Sequence, residues 1–347
     1  MYEEGENKMV TVVNNLIGGG QNAYIQVLRF FSALAVSLFH VGFLDSLGPD
    51  YNVWLVNGVF VFYAISGYVT MLSTERRTEK FMLKRIIRIM PLYWFLTLVT
   101  FMAMKLIPSI FPYNPSVVEL LKSLFLIPYS HRATATTDAL YPIVSMGHTI
   151  QTTMLYYVIF WVSSSLSQKR RGILSSLIII AIVVCGYVFK PSPTFLKFYM
   201  KPDLIFFVAG IVAYYICKKL SGQNIKYGLL ITTFPIALFF VTMCSHNRWC
   251  QFVLIMLLMC TTVILGKVKA INSNVFNRLV IMGNWTFSYF LIHLYVVRFL
   301  EVFGGTDFCV KAVVCDTVAI VLSWCASYLL YEIVEKRFTN MLKKRLV

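Results

Sequence analysis

The stretch YIQVLRFFSALAVSLFHVGFL, residues 24–44, is apolar almost throughout and carries two ionisable side chains, Arg29 and His40. About twenty consecutive apolar residues suffice for a helix to cross the hydrocarbon core of a bilayer. The run is continuous rather than alternating, which excludes a membrane barrel strand. Working outward, comparable runs follow at about 54–73, 89–107, 147–166, 173–190, 202–218, 227–244, 249–266, 282–300 and 311–331. The expected fold is all-α: a polytopic transmembrane helix bundle of about ten spans.

Composition points the same way. The 347 residues are 58% hydrophobic and 13% charged, against roughly 45–50% and about 25% in soluble domains. One water-soluble core of this size cannot hide so much apolar surface, so lipid acts as part of the solvent. Aromatics at 16% suit the bilayer interfaces. The net charge of +16 is the kind that attracts nucleic acid, but cytoplasmic loops of membrane proteins collect Lys and Arg in the same way, and no soluble segment is long enough to present a nucleic-acid surface. No nucleic acid is expected. The eight cysteines form no CxxC, and no His/Cys spacing fits a metal site. Cys244 and Cys250 flank a short loop where a disulfide is an option. No cleaved signal peptide is expected, since the first apolar run is too long for one.

Orientation follows from the connections. One side collects 21 of the 31 Lys and Arg, among them Arg76, Arg77, Lys80, Lys84, Arg85 and Arg88 between the second and third spans; the other collects eight, and Arg29 and Arg298 lie within spans. Lys and Arg gather on the cytoplasmic side, so both termini are expected there. The chain then divides into a polar segment 1–23, a membrane domain 24–335 and a basic tail 336–347. The outer connection 108–146 is long for a structureless loop and is expected to carry an interfacial helix near 116–127.

Charged and polar groups within lipid are expensive and are functional candidates. Arg29 and His40 are eleven apart, three helical turns, which returns them to nearly one face about 16 Å apart; the bland alternative is a snorkelling Arg and an interfacial His. In EKFMLKRIIRIMPLYW, Arg85 and Arg88 are three apart on one face before Pro91, which is expected to open the third span. Two fixed guanidiniums suit phosphate groups; an ordinary positive-inside flank is the alternative. In GNWTFSYFLIHLYVV, Tyr289 and His293 share a helix face, and a satisfied bundle histidine is the alternative. In NGVFVFYAISGYVT, Ser66-Gly67 permits either close backbone approach or a local break.

These four features, in this order, resemble the acyltransferase-3 family of integral membrane acyltransferases. Arg29 and His40 match its Arg-x10-His motif, Arg85 and Arg88 its Arg-x-x-Arg motif, GVFVFYAISGYV its second-span signature and SYFLIHLYVV its late Tyr/His signature. The closing YEIVEKRF is similar to the family's ending, with Arg337 where proline is usual. The similarity covers about 24–340 and is nearest the branch that decorates exopolysaccharides. Two departures stand out. In GHTIQTTMLYY, His148 stands where that branch has Trp and Thr153 where it has Glu; Phe206 stands where it tends to have another Glu. His148 is a candidate for restoring part of that polarity.

The resemblance implies a multi-pass protein of the cell membrane. It implies an O-acyltransferase, with acetyl the expected group, moving it from cytoplasmic acyl-CoA to a hydroxyl of a cell-surface or lipid-linked saccharide. Acetyl-CoA or another acyl-CoA is then a donor substrate rather than a bound cofactor. The implied base is His40, the implied acyl-CoA ligands are Arg29, Arg85 and Arg88, and Ser66, His148, Tyr289 and His293 orient substrate. Direct transfer and an acyl-histidine relay both remain open, as do the acyl chain, the acceptor hydroxyl and the oligomeric state. Two rivals stand beside this reading. A flippase for a lipid-linked sugar would need broken helices and paired halves, and a degenerate homologue would account for the lost carboxylates.

Overall fold

The computed structural model describes residues 22–43, 54–75, 79–108, 111, 113–130, 142–220, 247–268, 273–304 and 312–346. Among these the chain is helical, without a strand. The helices are α1 (Ala23–His40), α2 (Asn57–Ser73), α3 (Phe81–Leu106), α4 (Val117–Leu124), α5 (Gly147–Leu166), α6 (Arg171–Phe189), α7 (Thr194–Tyr199), α8 (Ile205–Leu220), α9 (Arg248–Val268), α10 (Asn274–Asn284), α11 (Thr286–Gly304), α12 (Ala312–Leu330) and α13 (Lys336–Leu346). A π-helical turn, Tyr331–Glu335, joins α12 to α13.

Among the described residues, six stretches of helix are long and apolar enough to cross a membrane, or seven if the bent pair α10–α11 is one span. Helices stand where nine of the ten expected spans were placed. The seventh, 227–244, lies outside the described residues, as do Cys244 and all but the last two residues of 1–23. The helix α5 coincides with the expected 147–166, yet its His148, Gln151, Thr and Ser residues keep it out of the six. The helix expected near 116–127 is α4, which opens on a capping box of Ser116 and Glu119.

Two expectations are corrected. Pro91 does not open the third span: α3 starts at Phe81 and runs through it. The residues from Phe81 to Met90 are good helix formers, so the helix accepts a proline that offers no N–H to the carbonyl four residues back. The span expected at 282–300 is not one helix. The chain bends by 77° between α10 and α11, and at the corner the Thr286 hydroxyl donates to the Gly283 carbonyl at 2.8 Å. Of the two readings of Ser66-Gly67, close backbone approach is the one found: α2 is continuous across the pair, and Gly67 lies against the Phe207 carbonyl.

The helices sort into two compact units. The first gathers α1, α2, α8 from Phe206 onward, α9, α10, the start of α11 as far as Tyr289, and the N-terminal part of α12. Here α1 is central, packed by α2, α9 and α10. One close crossing in this unit is between α2 and α8. A Cβ on Gly67 would strike the Phe207 carbonyl, and one on Gly210 would strike the Ala64 carbonyl. Two glycines therefore let two backbones touch, which is how helices associate where no hydrophobic drive separates them from lipid. Gly210→Leu should remove at least about 1–3 kcal/mol of stability. We expect it to abolish folded protein in detergent, read by size-exclusion profile and thermal melting.

The second unit holds α3 to α7, α11 beyond Tyr289, the C-terminal part of α12, the π turn and α13. Its hub is α3, against which α4, α5, the π turn and α13 pack. The antiparallel register of α3 and α5 is marked at one end by Phe81, whose ring lies 5.2 Å from Phe160 and 5.9 Å from Tyr157. At the other end Gly147 abuts Tyr93. Tyr93 donates to the Ser123 carbonyl at 2.9 Å and the Trp94 indole to the Leu124 carbonyl at 3.0 Å, which ties α4 to the same hub.

Candidate active site

The helix α1 buries Ile25, Gln26, Phe30, Ser32, Ala33, Val36 and Ser37. On a helix, steps of three and four share a face. Gln26, Arg29, Ala33, Val36 and His40 therefore form one stripe, and it is the stripe turned toward the protein; Phe31, on the other side, is 52% exposed. Arg29 and His40 are half-buried at the two ends of it. The Arg29 guanidinium donates to Gln26 Oε1 at 3.3 Å, and Gln26 is only 3% exposed. His40 is the last helical residue because Gly42 turns the chain with a φ of 70°. The Phe43 amide then closes onto the Leu38 carbonyl at 3.1 Å, a helix-ending arrangement that favours glycine.

Tyr289 meets the same stripe. Its hydroxyl donates to Ser37 Oγ at 2.6 Å, and Ser37 in turn donates to the Leu34 carbonyl at 2.9 Å. Tyr289 and Ser37 are both buried, so the start of α11 fixes the last turn of α1, the one that carries His40. Tyr289→Phe keeps the ring and removes this bond, which is worth about 1 kcal/mol when both partners are buried. We expect a small fall in melting temperature together with a several-fold fall in turnover.

Ser66 is half-buried on α2, next to the Gly67 crossing. Phe206 is fully buried and lies flat on Phe60, with ring centroids 4.2 Å apart and 13° between planes. The Arg248 guanidinium covers the same Phe60 ring at 4.8 Å. Phe206, at which the resemblance leads one to expect a carboxylate, is thus taken up in aromatic packing. Arg29, His40, Ser66, Tyr289 and Phe206 all belong to the first unit.

Arg85 and Arg88 belong to the second. Because α3 begins at Phe81, both sit in its opening turns and are fixed to a rigid helix. The Arg85 guanidinium lies 5.2 Å from the Phe81 ring centroid and 4.9 Å from that of Tyr157, a double stacking that guanidinium favours over ammonium. Arg88 lies within electrostatic reach of Tyr331 and Lys343. The tail helix α13 packs along α3, and the Lys80 ammonium donates to the Leu346 carbonyl at 3.3 Å. Lys343 is thereby held near both Lys84 and Arg88. Like charges gathered on two packed helices make a site for an anion. Sequence reading treated the tail as a flank; the signal it lacked was the packing of α13.

His148 opens α5. Its Nδ1 faces the Ser145 carbonyl at 2.8 Å, so the proton there is donated to it, and its Nε2 lies 3.3 Å from the Thr149 hydroxyl. Each ring nitrogen thus has a partner at the helix's own start. Thr153 donates to the Thr149 carbonyl at 2.8 Å and offers no acid. His293 is 1% exposed, with Phe290 6.1 Å away. On the same part of α11, Tyr295 accepts from the Thr100 hydroxyl at 2.9 Å. The polar residue overlooked in the sequence is Gln151, two positions from Thr153 and 1% exposed. Only its burial distinguishes it, and a run of apolar and hydroxyl residues does not reveal that.

The acyltransferase domain of the acyltransferase-3 family matches residues 22–332. The exopolysaccharide production protein ExoZ of Rhizobium meliloti (strain 1021) is 30% identical over 179 residues, 50% of this chain and 54% of that protein. The match thus spans about half the length of this curated relative. No solved structure matches. With the match running across nearly all the described helices and both arginine motifs, the chain belongs to the acyltransferase-3 family of membrane acyltransferases.

Proposed function

We propose that this chain is an acyl-CoA-dependent membrane O-acyltransferase, acetyl being the expected group, that acylates a hydroxyl of a cell-surface or lipid-linked saccharide. The reading includes ten spans, cytoplasmic termini and a multi-pass place in the cell membrane. The observation that carries it is the inward stripe of α1, with Arg29 and His40 at its ends and Tyr289 fixing the His40 turn through Ser37. The name of the ExoZ relative supports an exopolysaccharide acceptor.

In this reaction His40 takes the proton of the sugar hydroxyl as its oxygen attacks the thioester carbonyl carbon. The C–S bond breaks, the ester forms, and the departing thiolate of CoA takes up a proton. Arg29 stabilises the oxyanion that develops on the carbonyl oxygen. Arg85 and Arg88 bind the phosphates of the donor, with Lys84 and Lys343 adding to the field. The test is transfer of radiolabelled acetyl from acetyl-CoA to surface glycan by the purified protein in nanodiscs. Release of labelled ester supports the reading. Absence of both transfer and acetyl-CoA hydrolysis by folded protein sinks it. The bend at Trp285 is what a flippase reading has in its favour; such a protein would move labelled lipid-linked sugar across the bilayer without consuming acetyl-CoA.

A further inference from the structure

Gln151 is buried to 1% exposure, and neither its Oε1 nor its Nε2 has a hydrogen-bond partner among the described residues. A buried carboxamide without partners costs about 1–3 kcal/mol, and buried polar groups are otherwise almost always satisfied. The residue sits in the second turn of α5, in the antiparallel α3–α5 pair. It is four residues from Gly147, so the two share a helix face, and Gly147 abuts Tyr93 of α3. It is six residues, about 9 Å along the axis, from Tyr157, on which the Arg85 guanidinium is stacked.

We infer that Gln151 is a donor-binding residue that pairs with an amide of the pantetheine arm of acyl-CoA. This rests on the proposed acyl-CoA reading. A primary carboxamide presents one acceptor and two donors, the complement of a secondary amide's N–H and C=O. The pantetheine arm carries two such amides in series beyond its pyrophosphate. With phosphate held at Arg85 and Arg88, an arm entering along α5 brings an amide to the level of Gln151. A saccharide needs two suitably spaced hydroxyls to satisfy both ends of the carboxamide, whereas a single pantetheine amide does so alone. Gln151 is a positioning and affinity group here and takes no proton.

The test uses the full chain in nanodiscs, with Gln151→Leu and, as a second apolar variant of closer shape, Gln151→Met. Two ligands are titrated: CoA, and adenosine 3′,5′-bisphosphate, which keeps nucleotide and phosphates but lacks the arm. Wild type is expected to bind CoA more tightly than the bisphosphate. Both variants should lose about tenfold in CoA affinity, keep the bisphosphate affinity, and melt at or above the wild-type temperature, because an unsatisfied amide has been removed. A role in packing alone would move melting and leave the CoA preference intact. Variants that bind CoA as wild type does overturn the inference while the proposed function stands. Wild-type protein that binds neither ligand overturns the function and the inference together.

Discussion

His40→Ala is expected to yield inserted, normally melting protein that no longer transfers acetyl to glycan, with turnover down by about 10²–10⁴. The effect is large because a positioned base contributes in the transition state and nothing else on the inward stripe of α1 can replace it. Gln26 and Ser37 do not titrate near neutrality, and Arg29 stays protonated. The fold should survive because His40 is the last residue of α1, past the buried packing of Ala33 and Val36, and the turn that follows depends on Gly42. Glycan acetylation measured by NMR, beside a melting curve for the same preparation, separates loss of chemistry from loss of protein. A well-folded variant with normal acetylation would remove His40 from the reaction.

Arg85→Ala with Arg88→Ala is expected to raise the KM for acyl-CoA by about 100-fold or more, since charge-assisted bonds are worth about 1.5–3 kcal/mol each. The two positions should part company when lysine is substituted. Arg85 is stacked on Phe81 and Tyr157, a contact that needs a planar cation, so Arg85→Lys should behave much as alanine does. Arg88, half-buried like Arg85, acts as a point charge near Lys343 and not through the two stacked rings, so Arg88→Lys should keep most of the affinity. Raising the salt concentration should weaken wild-type donor binding and narrow the gap to the double variant, because screening acts on the exposed part of the cluster. Equal KM values in the double variant and wild type would place the donor phosphates elsewhere.

The sequence made the membrane class, the helix positions and the α1 stripe legible, since all three are matters of apolar length and of spacing along one helix. It misled where a local signal was overruled. Pro91 reads as a first-turn residue, but the helix formers before it carry α3 back to Phe81. Gly283, Asn284 and Trp285 read as part of a span, yet they make a corner, because one unbroken run of apolar residues fits a bent pair as well as a straight helix. Other features were out of reach because they depend on residues far apart in the chain. Phe206 stacks on Phe60, Tyr289 finds Ser37, and Lys343 approaches Arg88; no pattern within one helix announces any of these.

The π turn at Tyr331–Glu335 sets how the tail is geared to α3. Such a turn holds one residue more than an α turn of the same height, so everything beyond it is rotated by about 100° from an uninterrupted α-helical course. Excising a single residue from this segment would let α12 run on as ordinary α-helix, and the tail would swing by that angle. Lys343 would then face away from Arg88, and the anion cluster would lose a cation through a deletion that removes no charge.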